Sequence, residues 1–183
     1  IKVIGAGSVG SFLTLTLAKL GFNDIEVYDF DKVEPHNIPN QFYRMQDINK
    51  LKTEALKEIV KEFSNIDIAV KGKVEEDTPL EIGANTVYFF CLDSIEARRL
   101  VFTKLQGFTV KIVDIRMGGE GYSIQCLTAD NESQCQEYLE SLDKQTKDLP
   151  CGQQSVIYTI LSLASEASRM AVCLNNDAPI PYL

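Results

Sequence analysis

The amino-acid sequence predicts an α/β fold with a doubly wound, mostly parallel sheet flanked by helices. Apolar runs of strand length alternate with segments whose apolar residues recur at helical spacing. The chain has 183 residues, of which 45% are hydrophobic, so it can form one domain with a substantial buried core. Strands alternating with helices favour a parallel sheet, because each connection crosses over one face. We therefore expect residues 1–183 to form a single domain.

The chain opens with a strand, a glycine turn, a helix and a second strand. Residues 1–4 and 24–29 are strand-like, and residues 8–20 carry apolar side chains at helical spacing. Gly21 stands where a helix C-cap is expected. This order predicts a βαβ unit with a right-handed crossover.

The alternation continues along the chain. The predicted helices are 50–63, 94–105, 135–142 and 153–174, and the predicted strands are 66–74, 86–92, 110–115 and 122–127. Residues 30–49 form a polar connection without a strong period. A connection of this length usually carries a function.

Composition argues against several classes of protein. A net charge of -8 at pH 7 disfavours nucleic acid as a partner, because nucleic-acid binders need a basic face. No run of 18 apolar residues occurs, so we expect no membrane span. Five cysteines without a C-x-x-C pair argue against zinc and disulfides and favour the cytoplasm. The chain begins inside a strand-like run without Met, which is compatible with trimming before Ile1.

The first turn carries a nucleotide-binding pattern. Gly5, Gly7 and Gly10 lie between a strand and a helix, where glycines permit a tight turn and close approach of a phosphate to backbone N–H groups. Asp29 ends the second strand, where a carboxylate meets a ribose hydroxyl in Rossmann-like folds. The alternative is a glycine turn that only packs helix on strand. The pattern does not distinguish ATP from NAD.

Five short motifs occur in order along the chain. They are GAGSVG at residues 5–10, DFDKVE at 29–34, NIPNQ at 37–41, KTEA at 52–55 and CLDS at 91–94. Together they resemble the ThiF and ubiquitin-activating family in order and approximate spacing, and the resemblance covers nearly the whole chain. The fold it implies is a Rossmann-like, ATP-binding adenylating domain.

The resemblance implies a role for each matched residue. Asp29 would hold the ATP ribose, Asn37 and Gln41 would contact phosphates, Lys52 would neutralise the triphosphate, and Asp93 would face Mg²⁺. The complete set implied for cofactor binding is Gly5, Gly7, Gly10, Asp29, Asp31, Asn37, Gln41 and Lys52. The residues implied for catalysis are Asp93, Lys52 and Arg44.

The reaction implied is attack by a protein's C-terminal carboxylate on the α-phosphate of ATP, giving an acyl-adenylate and pyrophosphate. The implied partner is a ubiquitin-like or sulfur-carrier protein with a glycine-rich C-terminus, and a homodimer is also implied. The chemistry agrees, because two anions must meet and their repulsion must be offset by cations. Mg²⁺ keeps several waters, so one protein carboxylate at Asp93 would suffice.

Individual residues have simpler interpretations. Asp93 has the position of a helix N-cap, with Glu96 completing a capping box. The alternative for Lys52 is an ordinary solvated lysine at a helix start, although a cation at that position is disfavoured by the helix dipole. The alternative for Asn37 and Gln41 is that they only help to form the loop.

The sequence departs from the family pattern at one position of the polar connection. The family usually places Arg immediately before the loop Gln, and this chain has Asn40 there. Arg44 is one candidate for the missing charge, and a partner subunit or a segment before Ile1 is another. His36 is interpreted as a loop residue rather than a metal ligand.

Two cysteines are candidates for an acyl acceptor. In some relatives the activated carboxylate passes to a cysteine in the segment that here holds Cys135 and Cys151. Cys151 precedes the last predicted helix, whose N-terminus would lower a thiol pKa. The alternative for either is an inert cysteine. Arg116 is either a contact for a carboxylate ligand or a surface ion pair.

Two other functions remain open. An NAD(P)-dependent oxidoreductase would use the same glycine turn, but His36 is the one histidine available for proton transfer. A non-catalytic family member would bind nucleotide and work only with a catalytic partner, as the missing Arg at Asn40 permits.

Overall fold

The structure is a computed structural model that describes residues 1–83, 85–118, 121–144 and 156–179. Six strands form one sheet in the order β3-β2-β1-β4-β5-β6. The strands are β1 (Lys2–Ile4), β2 (Glu26–Tyr28), β3 (Ala69–Lys71), β4 (Val87–Phe90), β5 (Lys111–Gly118) and β6 (Gly121–Thr128). The first five pair in parallel, and β6 pairs antiparallel with β5. The predicted mostly parallel α/β sheet is confirmed.

Five helices flank the sheet. They are α1 (Ser8–Lys19), α2 (Lys52–Ser64), α3 (Ile95–Leu105), α4 (Glu132–Lys144) and α5 (Ile157–Asn175). The polar connection after β2 contains two 3₁₀ turns, Pro35–Asn37 and Met45–Asp47. Helix α4 begins before its predicted start because the side chain of Asn131 accepts a hydrogen bond from the N–H of Gln134.

Each face of the sheet packs against its own helices. On one face the alternating residues Val3, Val27, Phe89 and Val113 pack in a core with α1, α2 and α5. On the other face Ile4, Tyr28, Tyr88, Phe90 and Ile112 pack in a core with α3 and α4. Helices on both faces of a parallel sheet define a doubly wound fold, as the sequence predicts.

Helix α5 is long and apolar enough to cross a bilayer by length and composition alone. In the structure it packs along α1, and Ile160, Leu163 and Ala167 are buried in the shared core. A core helix of a globular protein has the same length and composition, so this property is weak support for a membrane span.

Candidate functional site

A cleft of about 810 Å³ lies at the carboxyl ends of the parallel strands. Strand β1 lies between β2 and β4, so the order of the strands reverses here. Open α/β sheets bind ligands at this switch point, and the volume lies within the roughly 300–1,000 Å³ of small-molecule pockets. The cleft is lined by residues at or beyond the carboxyl ends of all five parallel strands, among them Gly7, Asp29, Lys73, Asp93 and Met117.

The three glycines of the first turn have different surroundings. A Cβ on Gly5, whose φ is +100°, would lie 2.4 Å from the carbonyl oxygen of Cys91. A Cβ on Gly10 would lie 1.9 Å from the carbonyl oxygen of Gly5. No atom lies within 4 Å of the Cβ position of Gly7. Packing therefore requires Gly5 and Gly10, whereas Gly7 leaves open space on the cleft side.

The backbone at the start of α1 has donors without acceptors. In the described part of the chain, the backbone N–H groups of Gly7, Ser8, Val9 and Gly10 donate no hydrogen bond. These groups carry the positive end of the helix dipole. Such an end is an anion-binding site, which fits a phosphate at Gly7.

Asp29 is fixed at the end of β2 by backbone hydrogen bonds. Its Oδ2 accepts the N–H of Ala6 at 2.7 Å, and its Oδ1 accepts the N–H of Asp31 at 2.8 Å. Burial raises the pKa of this carboxyl, although both hydrogen bonds oppose the rise. Each oxygen keeps a lone pair, so the carboxylate can still accept a hydroxyl from a ligand in the cleft.

Lys52 is a buried cation beside Asp29. Its residue is 7% exposed, and its Nζ lies 2.9 Å from Oδ2 of Asp31. The backbone N–H of Lys52 also donates to the carbonyl of Asp31, at 2.8 Å. Two bonds thus hold the start of α2 against the end of β2 and keep the ammonium at the cleft. The interpretation of Lys52 as a freely solvated side chain is wrong.

The polar connection contributes three amide side chains to the cleft lining. Oδ1 of Asn37 accepts the N–H of Glu34 at 2.9 Å, so Asn37 helps to fold the connection. Among the described residues, Oδ1 of Asn40 and Oε1 of Gln41 are buried without a hydrogen-bond partner. Buried polar atoms normally have partners, and an amide rotated by half a turn presents NH₂ instead of oxygen. Both side chains therefore have unused hydrogen-bonding capacity at the edge of the cleft.

Asp93 borders the cleft and is exposed. The N-cap of α3 is Ser94, whose Oγ accepts the N–H of Ala97 at 3.2 Å and donates to Glu96 at 2.7 Å. The interpretation of Asp93 as the helix cap is therefore wrong, and its carboxylate is available. Among the described residues no three His, Cys, Asp or Glu side chains cluster as a metal site. A magnesium ion here would therefore depend on phosphate and water ligands in addition to Asp93.

Comparison with known proteins assigns the family. The sequence profile of the ThiF family matches residues 1–172. The chain belongs to the ThiF family. This confirms the resemblance that the five motifs indicate.

Named relatives of this ThiF-family chain are activating enzymes. The NEDD8-activating enzyme E1 catalytic subunit of Arabidopsis thaliana is 37% identical over 111 residues, which cover 59% of this chain and 24% of that protein. SUMO-activating enzyme subunit 2 of Dictyostelium discoideum is 30% identical over 128 residues, which cover 67% of this chain and 19% of that protein. The chain thus spans about a quarter or less of the length of these relatives.

Solved structures of low sequence identity share the fold. The crystal structure of E. coli MccB with ATP has a TM-score of 0.72 and 13% identity, covering 99% of this chain and 57% of that one. PaaA has a TM-score of 0.66 and 19% identity, covering 100% of this chain and 66% of that one. These similarities establish the ThiF-like architecture.

Arg44 does not reach the cleft of this ThiF-family chain. Its guanidinium binds Asp47 through Nε at 2.9 Å and through Nη2 at 3.0 Å, and it also contacts Glu58 and Glu62 on α2. Four hydrogen bonds to three carboxylates commit this side chain to fastening the connection onto α2. In this structure Arg44 is therefore not positioned to supply the charge missing at Asn40.

Cys135 also lies away from the cleft. It lies on α4 and is buried in the core that this helix shares with α3, with Sγ 3.3 Å from the carbonyl oxygen of Ala129. Burial raises the pKa of its thiol, which lowers the fraction of reactive thiolate. In this structure Cys135 is therefore not positioned to accept an acyl group, and Cys151 lies outside the described residues.

The structure also shows the surroundings of Arg116 and His36. Arg116 is nearly buried and pairs with Asp114 of the same strand, so its ion pair is not a surface one. His36 is an exposed residue of the connection and lies 3.2 Å from Glu34. It lines the cleft, as a loop residue of that connection would.

No sequence pattern indicates some of the residues in and beside the cleft. Phe30 and Lys73 line it, with the ammonium 5.2 Å from the ring centroid. Tyr43 contacts the glycine turn from the connection. An aromatic residue in an irregular loop has no periodic pattern, so its contacts become visible only with the fold. For Ser94 a signal existed, because serine is as common at N-caps as aspartate.

Proposed function

We propose that this chain is an ATP-binding adenylating domain that activates the C-terminal carboxylate of a ubiquitin-like or sulfur-carrier protein. The observation that carries the proposal is the incomplete hydrogen bonding around one cleft. Free N–H groups at α1, the Lys52 ammonium and the unpartnered amides of Asn40 and Gln41 all border it. A triphosphate supplies acceptors for the N–H groups at α1 and for the Lys52 ammonium, and a rotation of either amide by half a turn offers it an NH₂ donor.

Each residue has a role that its position supports. Asp29 accepts a ribose hydroxyl at the end of β2, as an acidic residue does in this fold. The N–H groups from Gly7 onward and the Lys52 ammonium bind phosphate oxygens and reduce their repulsion toward an approaching carboxylate. Asp93 holds the hydrated magnesium ion. When bound, Mg²⁺ neutralises phosphate charge and polarises the phosphorus–oxygen bonds.

The relatives' names support the class of substrate. They are activating enzymes for NEDD8 and SUMO, which suggests a protein carboxylate as the nucleophile that attacks the α-phosphate. The products would be an acyl-adenylate and pyrophosphate. A homodimer in the cytoplasm remains part of the proposal.

The test is ATP–pyrophosphate exchange by the full protein. We expect exchange only with Mg²⁺ and with a small carrier protein that ends in Gly-Gly, tested across a panel of candidate carriers. Asp93→Ala should abolish it while the far-UV spectrum and melting temperature stay near wild type, and Asp67→Ala is the charge-matched control on the surface. Unchanged exchange in Asp93→Ala would remove this residue from the mechanism.

A thermal-shift comparison of ATP with NAD separates the adenylating function from an oxidoreductase. ATP with Mg²⁺ should raise the melting temperature more than NAD at equal concentration, because ligand that binds the native state stabilises it by mass action. A larger shift with NAD would overturn the assignment to ATP.

A second candidate function is a nucleotide-binding subunit that needs a catalytic partner. Asn40 stands where the family resemblance implies an arginine, and Arg44 is bound to three carboxylates, which favours this candidate. It predicts ATP binding without exchange until a partner supplies an arginine. Exchange by this protein and a carrier alone would exclude it.

A further inference from the structure

The polar connection is fastened to the glycine turn at two adjacent residues. The N–H of Phe42 donates to Oγ of Ser11 on α1 at 3.0 Å. The hydroxyl of Tyr43 donates to the carbonyl oxygen of Ala6 at 2.6 Å, and Tyr43 is 7% exposed. A buried hydroxyl bound to one backbone carbonyl has a defined direction, so this contact can hold a peptide group in place.

The contact with Tyr43 determines which way the next N–H points. In a planar trans peptide the C=O and N–H groups point in opposite directions. The peptide that joins Ala6 to Gly7 presents its oxygen to Tyr43, so the N–H of Gly7 points to the other side. The preceding peptide is held by Asp29, which accepts the N–H of Ala6.

Without a restraint, the peptide between Ala6 and Gly7 would rotate easily. Glycine accepts positive and negative φ at similar cost, so a flip of this peptide meets little steric resistance at Gly7. The Cβ position of Gly7 also has no neighbour within 4 Å. A flipped peptide would present a carbonyl oxygen to an anion instead of an N–H.

We propose that Tyr43 is a positioning residue, whose hydroxyl locks the peptide between Ala6 and Gly7 so that the N–H of Gly7 faces a phosphate. The inference rests on the proposed nucleotide site and adds a residue to it that the motifs do not include. Tyr43 acts through the peptide group and does not itself touch the nucleotide.

The test compares two tyrosine-to-phenylalanine variants, each of which loses one hydrogen-bonded hydroxyl group. Tyr43→Phe keeps the buried ring and removes the lock. Tyr88→Phe removes a similar bond, 2.7 Å long to the carbonyl of Glu81, in the core beneath α3 and outside the cleft lining. Calorimetry measures the affinity of each full-length variant for ATP with Mg²⁺ and for adenosine, and thermal melting measures its stability.

We expect Tyr43→Phe to weaken ATP about tenfold, the effect of about one hydrogen bond to a charged group, and to change adenosine less than twofold. Tyr88→Phe should leave both affinities unchanged. Equal weakening of ATP and adenosine, or no weakening of ATP, would overturn the inference. Failure of the wild type to bind ATP would instead overturn the proposed function itself.

NMR spectroscopy of the wild-type protein tests the same inference without a substitution. The amide proton of Gly7, assigned by NMR, should shift strongly and exchange more slowly with ATP than with adenosine. An identical response to both ligands would contradict a phosphate contact at Gly7.

Discussion

Two charged clusters lie near the carboxyl ends of the strands, and their hydrogen bonding differs. The arginine cluster consists of Arg98, Asp114 and Arg116. Asp114 is fully buried, Nε of Arg98 lies 2.9 Å from its Oδ1, and Arg116 binds its Oδ2. Arg98 also donates to the carbonyl of Ile115, and Arg116 to the hydroxyl of Ser141. Each partner of Asp114 is itself bound to a second group.

The cleft cluster consists of Asp29, Asp31 and Lys52. Here Lys52 pairs with one carboxylate, which is itself half exposed. Backbone N–H groups and two amide oxygens nearby have no partner among the described residues. The contrast teaches that burial of charge alone does not mark a site. The hydroxyl of Tyr138, beside Arg116, is also buried without a partner. What distinguishes the cleft cluster is that its unsatisfied groups border an open cleft.

The largest expected effect comes from breaking the arginine cluster. Asp114→Ala leaves two arginines without their carboxylate, and loss of one partner of a buried pair costs about 3–5 kcal/mol. Urea denaturation should show this loss in the free energy of unfolding. Asp130→Ala, a change of equal charge at an exposed position, serves as the control. A loss below about 1 kcal/mol would mean that Asp114 is no more structural than Asp31.

The matching change in the cleft cluster should affect activity more than stability. Lys52→Ala removes a positioned cation from the phosphates, and loss of one such group costs about 100- to 1,000-fold in rate. Exchange kinetics should show that loss, while the unfolding free energy changes by about 1 kcal/mol or less, because Asp31 is half exposed. Lys57→Ala on the surface should change neither quantity. If Lys52→Ala unfolds the protein instead, the distinction between the clusters fails.

The smallest expected effect concerns Asp47, a buried carboxylate with a complete set of partners. Burial by itself would raise the pKa of Asp47, but hydrogen bonds from Arg44 outweigh this and hold the pKa below its usual value. A carboxyl whose pKa is lower in the folded state stabilises the protein above its unfolded pKa of about 3.9, and this contribution disappears as the pH falls further.

Asp47→Asn should therefore lower the unfolding free energy by about 1–3 kcal/mol at pH 7. The difference from wild type should shrink as the pH falls below about 4. Thermal melts of both proteins between pH 7 and pH 3 measure it. A difference that does not vary over this range would show that the ion pair contributes nothing.

Much of the fold was predictable because it depends on periodic patterns. Helix α2 was predicted at 50–63 and observed at Lys52–Ser64, since its apolar residues recur at regular spacing. Partners from different elements were not predictable. Arg44 was misassigned because Glu58 and Glu62 become its neighbours only when the connection folds onto α2.

The candidate site was predicted in its backbone framework and in part of its side chains. The glycine turn, Asp29, Lys52 and Asp93 all border one cleft, because each follows or precedes an element whose end lies there. The choice between Asp93 and Ser94 as the helix cap depended on a one-residue difference in where α3 starts. Sequence patterns do not resolve helix ends to that precision.

The unequal surroundings of the three glycines have an evolutionary consequence. Gly5 and Gly10 are constrained by contacts inside the fold, so both should persist in a descendant that has stopped using nucleotides. Gly7 is free of that constraint and faces the open cleft. Among homologous sequences, replacement of Gly7 by a residue with a side chain should therefore be the earliest sign of relaxed selection. The glycines at positions 5 and 10 would still be present in such sequences.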